Sequence, residues 1–306
     1  MRESAPALRY EGEPLRKQVA DITLAGLVVN MALVVLKGSA GVVGFSQALV
    51  ADAAESASDL ITSVMIILGA RYWTAPADET HPYGHSRIET IITAFIALVI
   101  MATGVLICRN ALISLQTHRQ EQTPGVVAVA GVWIGIIGKE WLYRWTVRGA
   151  RRIHSSALLA AAWHHRSDAL NSLPVAVTIV ISMVNPAWAL LDHICAVVVA
   201  LFIIHSGWKL MRPALAELSD GGVSLPERRK IEGLVQRTAG VAAMHCLRTR
   251  RSGAGIYVDL HMLVDGDLSV RQGHDIAESL KRTLMEQGPD VVDVLVHIEP
   301  ADDAGE

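Results

Sequence analysis

The amino-acid sequence predicts a polytopic α-helical membrane domain followed by a smaller soluble α+β domain. The chain has 306 residues, of which 51% are hydrophobic and only 19% are charged, whereas an ordinary globular domain is about 25% charged. Long apolar stretches dominate before Arg212, and charged and apolar residues mix evenly after it. About 20 apolar residues are enough to cross a bilayer. Soluble core helices rarely run this long without a polar face, which disfavours a large soluble helical protein.

Six apolar stretches are long enough to be transmembrane helices. They are predicted at residues 19–41, 47–70, 88–114, 124–145, 156–184 and 187–210. Lys and Arg concentrate in the amino-terminal segment, between spans two and three, after span four and after span six. Because cytoplasmic segments carry the excess of positive charge, both termini are expected in the cytoplasm.

The domain plan follows from these spans and from the change of composition. It comprises a cytoplasmic segment at 1–18 with no cleavable signal peptide, a transmembrane domain at 19–210 and a cytoplasmic domain at 211–306. No basic cluster suggests a nucleic-acid partner. The three cysteines have no paired spacing, so no disulfide framework is expected.

From Ser224 the pattern becomes that of a small α+β domain. Ser224 to Glu227 is typical of a capping box that opens a helix. Strands are predicted at 246–251, at 256–264 and at 291–298, and Ser269 is predicted to start a second helix. The order α-β-β-α-β suits two layers, with both helices on one face of a sheet.

Two pairs of polar residues interrupt apolar spans at helical spacing. His164 and Asp168 are four residues apart in span five, and Glu55 and Asp59 repeat that spacing in span two. Residues four apart lie on one face of a helix. Pairing the two helices would bring together one imidazole and three carboxylates, a donor set for a divalent transition-metal ion. The alternative is that these groups hydrogen-bond between helices and hold the bundle together.

Three further polar residues in the spans receive structural interpretations. Asp52 is expected to serve helix packing or a hydrogen bond. His165 is one residue off the face of His164 and is expected to point elsewhere. Lys139 is expected to extend its ammonium group toward the cytoplasmic side of the membrane.

Together, the two intramembrane pairs, the segment 76–89 (PADETHPYGHSRIE) and the last domain resemble the cation diffusion facilitator family over nearly the whole chain. The resemblance implies a dimeric six-helix transporter that exports zinc or a related divalent ion (iron(II), manganese, cobalt or cadmium) in exchange for protons. It also implies a metallochaperone-like fold for the cytoplasmic domain. Its transport site would comprise Glu55, Asp59, His164 and Asp168. Members usually carry Asp or His where this chain has Glu55, which leaves the choice of ion open.

The segment after span two contains a second set of candidate ligands. Asp78, His81 and His85 resemble a loop-borne metal site of some family members. The alternative is a structural helix start in which a histidine caps backbone groups. By the same resemblance, Arg87 is expected to interlock with the partner subunit, with Asp220 as its counter-charge.

The soluble domain is rich in potential ligands. They are His245, His261, His274, His297 and Glu299. His297 and Glu299 are two apart on a strand and so share a face, and the match to the family's metal cluster at the dimer interface implies metal binding here. The alternative is a set of surface histidines on an ordinary dimerisation domain.

The sequence therefore predicts a proton-coupled divalent-cation exporter, with Zn²⁺ as the favoured ion, that works as a homodimer in a bilayer, expected to be a bacterial inner membrane. A second hypothesis is a metal-sensing or non-transporting partner subunit that binds metal in the soluble domain. An intramembrane metallohydrolase is disfavoured, because no His-Glu-x-x-His helix occurs. The protein is thus expected to be a secondary transporter and not an enzyme.

Overall fold

The computed structural model describes residues 13–73, 75–117, 123–152, 156–185 and 188–301. The chain divides into two compact units. One comprises the residues up to Val64 together with Ile96–Trp208, and the other comprises Met65–Phe95 together with the residues from Lys209 onward. The second unit therefore combines the loop between the second and third helices with the carboxyl-terminal part of the chain.

Six long helices precede the α+β domain. They are α1 (Glu13–Val43), α2 (Gln47–Trp73), α3 (Arg87–Thr117), α4 (Val126–Arg152), α5 (Ser156–Val184) and α6 (Leu190–Leu218). Within the described residues, five of them contain stretches that are long and apolar enough to cross a membrane: Asp21–Val43, Arg87–Gln116, Val126–Arg152, Ala161–Val184 and Leu190–Leu218. The remaining helix, α2, has 27 residues, which at about 1.5 Å per residue exceeds a hydrocarbon core of about 30 Å.

The start of α2 is held by a carboxylate from another helix. Asp192, near the start of α6, accepts hydrogen bonds from the Ser46 hydroxyl at 2.6 Å and from the backbone N–H groups of Gln47 at 2.7 Å and Ala48 at 3.2 Å. The first N–H groups of a helix lack intrahelical partners, and a negative charge there also interacts favourably with the helix dipole. The cap therefore positions the start of α2 against α6.

Small residues allow α1 and α4 to pack closely. A Cβ atom added to Gly131 of α4 would lie 2.4 Å from the Cβ of Ala40 in α1. No side chain fits at such a distance, so glycine is required for this approach of the two backbones. Small residues at helix interfaces are the usual means of close packing in an apolar bundle.

The carboxyl-terminal domain has the predicted order α-β-β-α-β. Its elements are α7 (Leu225–Arg237), β1 (Ala243–Ser252), β2 (Gly255–Val264), α8 (Val270–Gln287) and β3 (Val291–Pro300). Serines begin both helices as predicted, because the backbone N–H groups of Ser224 and Ser269 donate to Glu227 and Gln272, respectively.

The three strands form one sheet with β2 in the centre. β1 pairs antiparallel with β2, and β3 pairs parallel with β2. Alternate β2 residues are buried against both helices, since successive side chains point to opposite faces. The buried set includes Ile256, Val258, Leu260 and Met262 of β2, Ile231 and Val235 of α7, and Leu280 and Leu284 of α8. The sheet face away from this core carries His261 in register with His245 and His297.

Glu227 links the start of α7 to β1. Its carboxylate accepts the Ser224 hydroxyl at 2.7 Å and forms an ion pair with Arg251 of β1. The hydrogen bonds from Ser224 and Arg251 hold the pKa of Glu227 below its ordinary value of 4.5. A carboxyl group whose pKa is lower in the folded than in the unfolded state stabilises the fold above the unfolded pKa, and this stabilisation is lost as the pH falls through the folded pKa.

We expect Glu227→Gln to lower the melting temperature at pH 7 and to remove part of the acid sensitivity. The variant has no carboxylate to protonate, so its melting temperature should fall less than that of the wild type between about pH 5 and pH 3. Circular dichroism of the full chain in detergent measures both. Glu286→Gln, exposed on α8, is the matched control. If the melting temperatures of the wild type and of Glu227→Gln changed in parallel with pH, the stabilising role of the Glu227 carboxylate would be contradicted.

Candidate metal sites

Helices α2 and α5 bring a histidine between two carboxylates. His164 Nε2 lies 3.8 Å from Asp59 Oδ2, and His164 Nδ1 lies 3.7 Å from Asp168 Oδ1. We call Asp59, His164 and Asp168 the helix group. Each of them offers one ligand atom, and these atoms all lie within 4.8 Å of one another. The His164 side chain is 54% exposed. Two carboxylate oxygens and one imidazole nitrogen suit a divalent transition-metal ion.

Three of the four predicted intramembrane ligands are thus assembled. Glu55 is half-buried on α2, one helical turn before Asp59, but the helix group does not include it. His165 is also outside the helix group, and its ring centroid lies 6.3 Å from that of His164. This agrees with the prediction that His165 points elsewhere.

Lys139 of α4 is in contact with the helix group. Its Nζ donates to Asp168 Oδ2 at 2.7 Å, and its side chain is 1% exposed. The prediction that Lys139 extends toward the membrane surface was therefore wrong. A buried carboxylate is a closer and stronger partner for the ammonium group than the distant aqueous phase is.

A second buried lysine pairs with Asp52. Lys37 Nζ of α1 lies 2.7 Å from Asp52 Oδ2 and donates to the Ser172 hydroxyl at 3.0 Å. Ser172 in turn donates to Asp52 Oδ1 at 2.7 Å. Asp52 serves helix packing, as predicted, but it does so through an ion pair as well as a hydrogen bond. The network ties α1, α2 and α5 together one helical turn from Glu55 and Asp168.

The loop before α3 forms a second group of ligand atoms. Those of Asp78, His81 and His85 lie within 4.8 Å of one another. Asp78 Oδ1 accepts the Thr80 hydroxyl at 2.8 Å and the His81 N–H at 2.7 Å. These two hydrogen bonds, led by that of Thr80, lower the pKa of Asp78 to about 2. The carboxylate is therefore ionised at neutral pH and able to face either histidine.

The sheet register aligns three histidines across all three strands. His245 of β1 pairs with His261 of β2, which pairs with His297 of β3. Glu299 connects them, with its oxygens 2.7 Å from His245 Nε2, 2.7 Å from His261 Nδ1 and 3.4 Å from His297 Nε2. The hydrogen bond from His245, together with the nearby imidazole of His261, holds the pKa of Glu299 below its usual range.

Cys246 adds a sulfur ligand to this arrangement. Its Sγ lies 3.2 Å from His245 Nδ1, and it groups with His245 and His261. The strand is irregular here, because the pairing register shifts between His245 and Arg248 and Cys246 has φ of 52°. We call Cys246 together with His245, His261, His297 and Glu299 the sheet cluster. The predicted ligand His274 is exposed on α8 and lies outside it.

Arg87 and Asp220 form the predicted ion pair, but within one chain. That these charges interlock with the partner subunit stays a prediction. The start of α3 and the end of α6 approach each other through Glu217, whose Oε1 accepts the Thr90 hydroxyl at 2.6 Å and the Gly253 N–H at 2.6 Å. These contacts bring Arg87 to an aspartate of its own chain.

Known proteins share this combination of domains. The family model described as the cation efflux transmembrane domain matches residues 23–219. The model described as the cation efflux protein, cytoplasmic domain, matches residues 224–301. The chain belongs to the cation efflux, or cation diffusion facilitator, family. It is an integral membrane protein, and members of the cation efflux family are transporters.

Three relatives in the family illustrate the similarity. The manganese efflux system protein MneP of Bacillus subtilis is 28% identical over 295 residues, which cover 95% of this chain and 98% of MneP. MneS of the same organism, also a manganese efflux system protein, is 31% identical over 278 residues, or 90% of this chain and 94% of MneS. Metal tolerance protein C1 of Arabidopsis thaliana is 32% identical over 290 residues, but this chain spans only 61% of the plant protein.

Sequence reasoning missed the ion pairs that Lys37 and Lys139 form beside these sites, and it missed the thiol of Cys246. Lys37 and Lys139 lie far in sequence from Asp52 and Asp168, so no local spacing connects each pair. Cys246 stands next to His245 in the sequence, and this adjacency is the signal that could identify it. Its part in the cluster depends on the bulge in β1, which no simple strand alternation predicts.

We expect Glu299→Gln to weaken Zn²⁺ binding at the sheet cluster by roughly 10–100-fold, because the histidines lose the carboxylate that orients them. Isothermal titration of the full chain in detergent measures this affinity. An Asp59→Asn, Asp78→Asn background disables the helix group and the loop group. His274→Ala is the control and should leave the affinity unchanged. An equal loss in His274→Ala would place α8 in the site.

Proposed function

We propose that this chain exports a divalent transition-metal cation across a membrane in exchange for protons. The observation that carries the proposal is the helix group, in which Asp59, His164 and Asp168 offer ligand atoms within 4.8 Å of one another. A carboxylate at the centre of a bilayer helix costs about 2.5–3.5 kcal/mol on insertion scales. Such groups mark ion pathways when they converge in this way.

The exchange with protons follows from the chemistry of the ligands. Carboxylates and imidazole must be deprotonated to bind a metal ion, so metal entry releases protons and proton entry releases metal. His164 and the two carboxylates would release protons when the metal binds and take them up when it leaves. Alternate exposure of the helix group to the two sides of the membrane would convert this competition into antiport.

The ligands of the helix group fit more than one first-row cation. One imidazole favours Zn²⁺, whereas oxygen donors suit Mn²⁺. Zn²⁺ was the ion favoured by the sequence. The names of two bacterial relatives, both manganese efflux system proteins, support Mn²⁺ as an equal candidate. Glu55, one turn from Asp59, is the residue that we propose as the fourth ligand and as a determinant of this choice.

The remaining parts of the chain take supporting functions in this proposal. The transport domain covers 19–210, and the domain from 211 onward dimerises and regulates. Occupancy of the sheet cluster would shift the population of a homodimer toward a transport-ready state. The match of residues 224–301 to a cytoplasmic domain and the distribution of Lys and Arg support cytoplasmic termini. We assign the protein to a bacterial inner membrane.

A non-transporting metal sensor is the second candidate. The sheet cluster favours it, because Glu299 contacts three aligned histidines with no contribution from the helix group. A sensor would bind metal in the α+β domain and show no flux. A transporter would depend on Asp59 and His164 for flux.

We expect Asp59→Asn to reduce metal flux at least roughly 100-fold. This exceeds the 10–100-fold loss that follows removal of a residue that hydrogen-bonds to a metal ligand. The substitution keeps the side-chain volume but removes a ligand charge. Flux of Zn²⁺ and Mn²⁺ into proteoliposomes with a pH gradient is measured by an internal fluorescent indicator. Asp21→Asn, exposed on α1, is the matched control and should transport like the wild type. Equal flux in Asp59→Asn would refute the site, and absence of flux in the wild type would favour the sensor.

Substitution of Glu55 should change ion preference. We expect Glu55→His to shift the ratio of Zn²⁺ to Mn²⁺ flux toward Zn²⁺ by about tenfold, because imidazole is a softer ligand than carboxylate. Glu55→Asp keeps the ligand type and should shift the ratio little. Competition between the two ions in the same proteoliposomes gives the ratio. An unchanged ratio in Glu55→His would show that Glu55 is not a ligand.

A further inference from the structure

Lys139 is a charged group next to the helix group that the proposed function leaves unexplained. The ammonium group is buried and lies 2.7 Å from Asp168 Oδ2. Burying a lysine ammonium group away from water costs free energy unless a counter-charge is in direct contact. Asp168 provides that charge, so Lys139 and Oδ2 are bound to each other as a pair.

The two oxygens of Asp168 therefore have different environments. Oδ2 accepts the hydrogen bond from Lys139, whereas Oδ1 lies 3.7 Å from His164 Nδ1. A free carboxylate binds a cation through one oxygen or through both. With Oδ2 bound to the ammonium group, Asp168 has one oxygen left for an ion near His164.

Losing one ligand oxygen affects cations unequally. Zn²⁺ is satisfied by four ligands in a tetrahedron. Mn²⁺ favours octahedral coordination rich in oxygen. A site that lacks one carboxylate oxygen should therefore weaken Mn²⁺ binding more than Zn²⁺ binding.

We propose that Lys139 is a specificity-determining positioning residue that confines Asp168 to one ligand oxygen and so favours cations of low coordination number. This inference rests on the proposed function, because it assumes that the helix group binds the transported ion. Lys139 acts through Asp168 and does not itself contact the cation.

The chain contains a matched comparison for Lys139. Lys37 is equally buried and lies at the same distance of 2.7 Å from a carboxylate, that of Asp52. Neither Lys37 nor Asp52 belongs to the helix group. Removal of Lys37 therefore breaks a buried ion pair of the same kind without freeing a ligand oxygen.

The test measures Zn²⁺ and Mn²⁺ dissociation constants of the full chain in detergent by equilibrium dialysis. Every protein carries His85→Ala, His261→Ala and Glu299→Gln, which disable the loop group and the sheet cluster. Lys139→Met should bind Mn²⁺ about tenfold better relative to Zn²⁺ than the parent does. Lys37→Met should leave the ratio unchanged. Equal changes of both affinities in Lys139→Met, or the same ratio shift in Lys37→Met, would overturn the proposal.

A double variant, Lys139→Met with Asp168→Asn, removes both charges and leaves no unpaired group. The amide offers only one ligand oxygen, so its ratio should stay within about twofold of the parent. A shift of this ratio toward Mn²⁺ would overturn the proposal, and this holds even if Lys139→Met alone does not fold. If His164→Ala in the parent abolishes binding of both Zn²⁺ and Mn²⁺, the measured ions are bound at the helix group. Binding unaffected by His164→Ala would overturn the proposal too. If the ratio of Mn²⁺ to Zn²⁺ binding shifts in Lys139→Met but the wild type shows no metal flux, the proposed transport is refuted and the proposed role of Lys139 is not.

Discussion

The helix domain depends on the neutralisation of carboxylates inside an apolar bundle. Lys139 and Lys37 pair at 2.7 Å with Asp168 and Asp52, respectively, and each pair joins two helices. Breaking one such pair strands a buried charge and is strongly destabilising, by about 3–5 kcal/mol. The same pairs stand next to the candidate ion pathway. The interactions that make the bundle stable therefore also define the charge that an entering cation meets.

Other polar contacts between the helices complete this arrangement. Asp192 caps α2 through Ser46 and two backbone N–H groups, and Ser172 bridges Lys37 to Asp52. Few water molecules can compensate polar groups in an apolar environment, so each group needs a protein partner. These contacts determine the position of α2 relative to α5 and α6. The helix group depends on this position, because Asp59 comes from α2 and His164 from α5.

The α+β domain uses backbone pairing to build a different kind of site. The three strands place His245, His261 and His297 in one row, and the Glu299 carboxylate contacts all three imidazoles. Strand register alone aligns them, since side chains of paired residues lie on the same face of a sheet. The bulge that turns Cys246 toward His245 then adds a sulfur donor. Hydrophobic packing on the opposite face fixes the register.

Local pattern in the sequence determined the six long helices, the order of the α+β elements and the spacing of His164 with Asp168, because hydrophobic periodicity and capping act between near neighbours. It also identified nearly every residue of the helix group and the sheet cluster. Only the tertiary structure decided that Lys139 pairs with Asp168 and that Lys37 pairs with Asp52. These outcomes depend on contacts between residues distant in sequence, where packing and the pairing of buried charge select the partner.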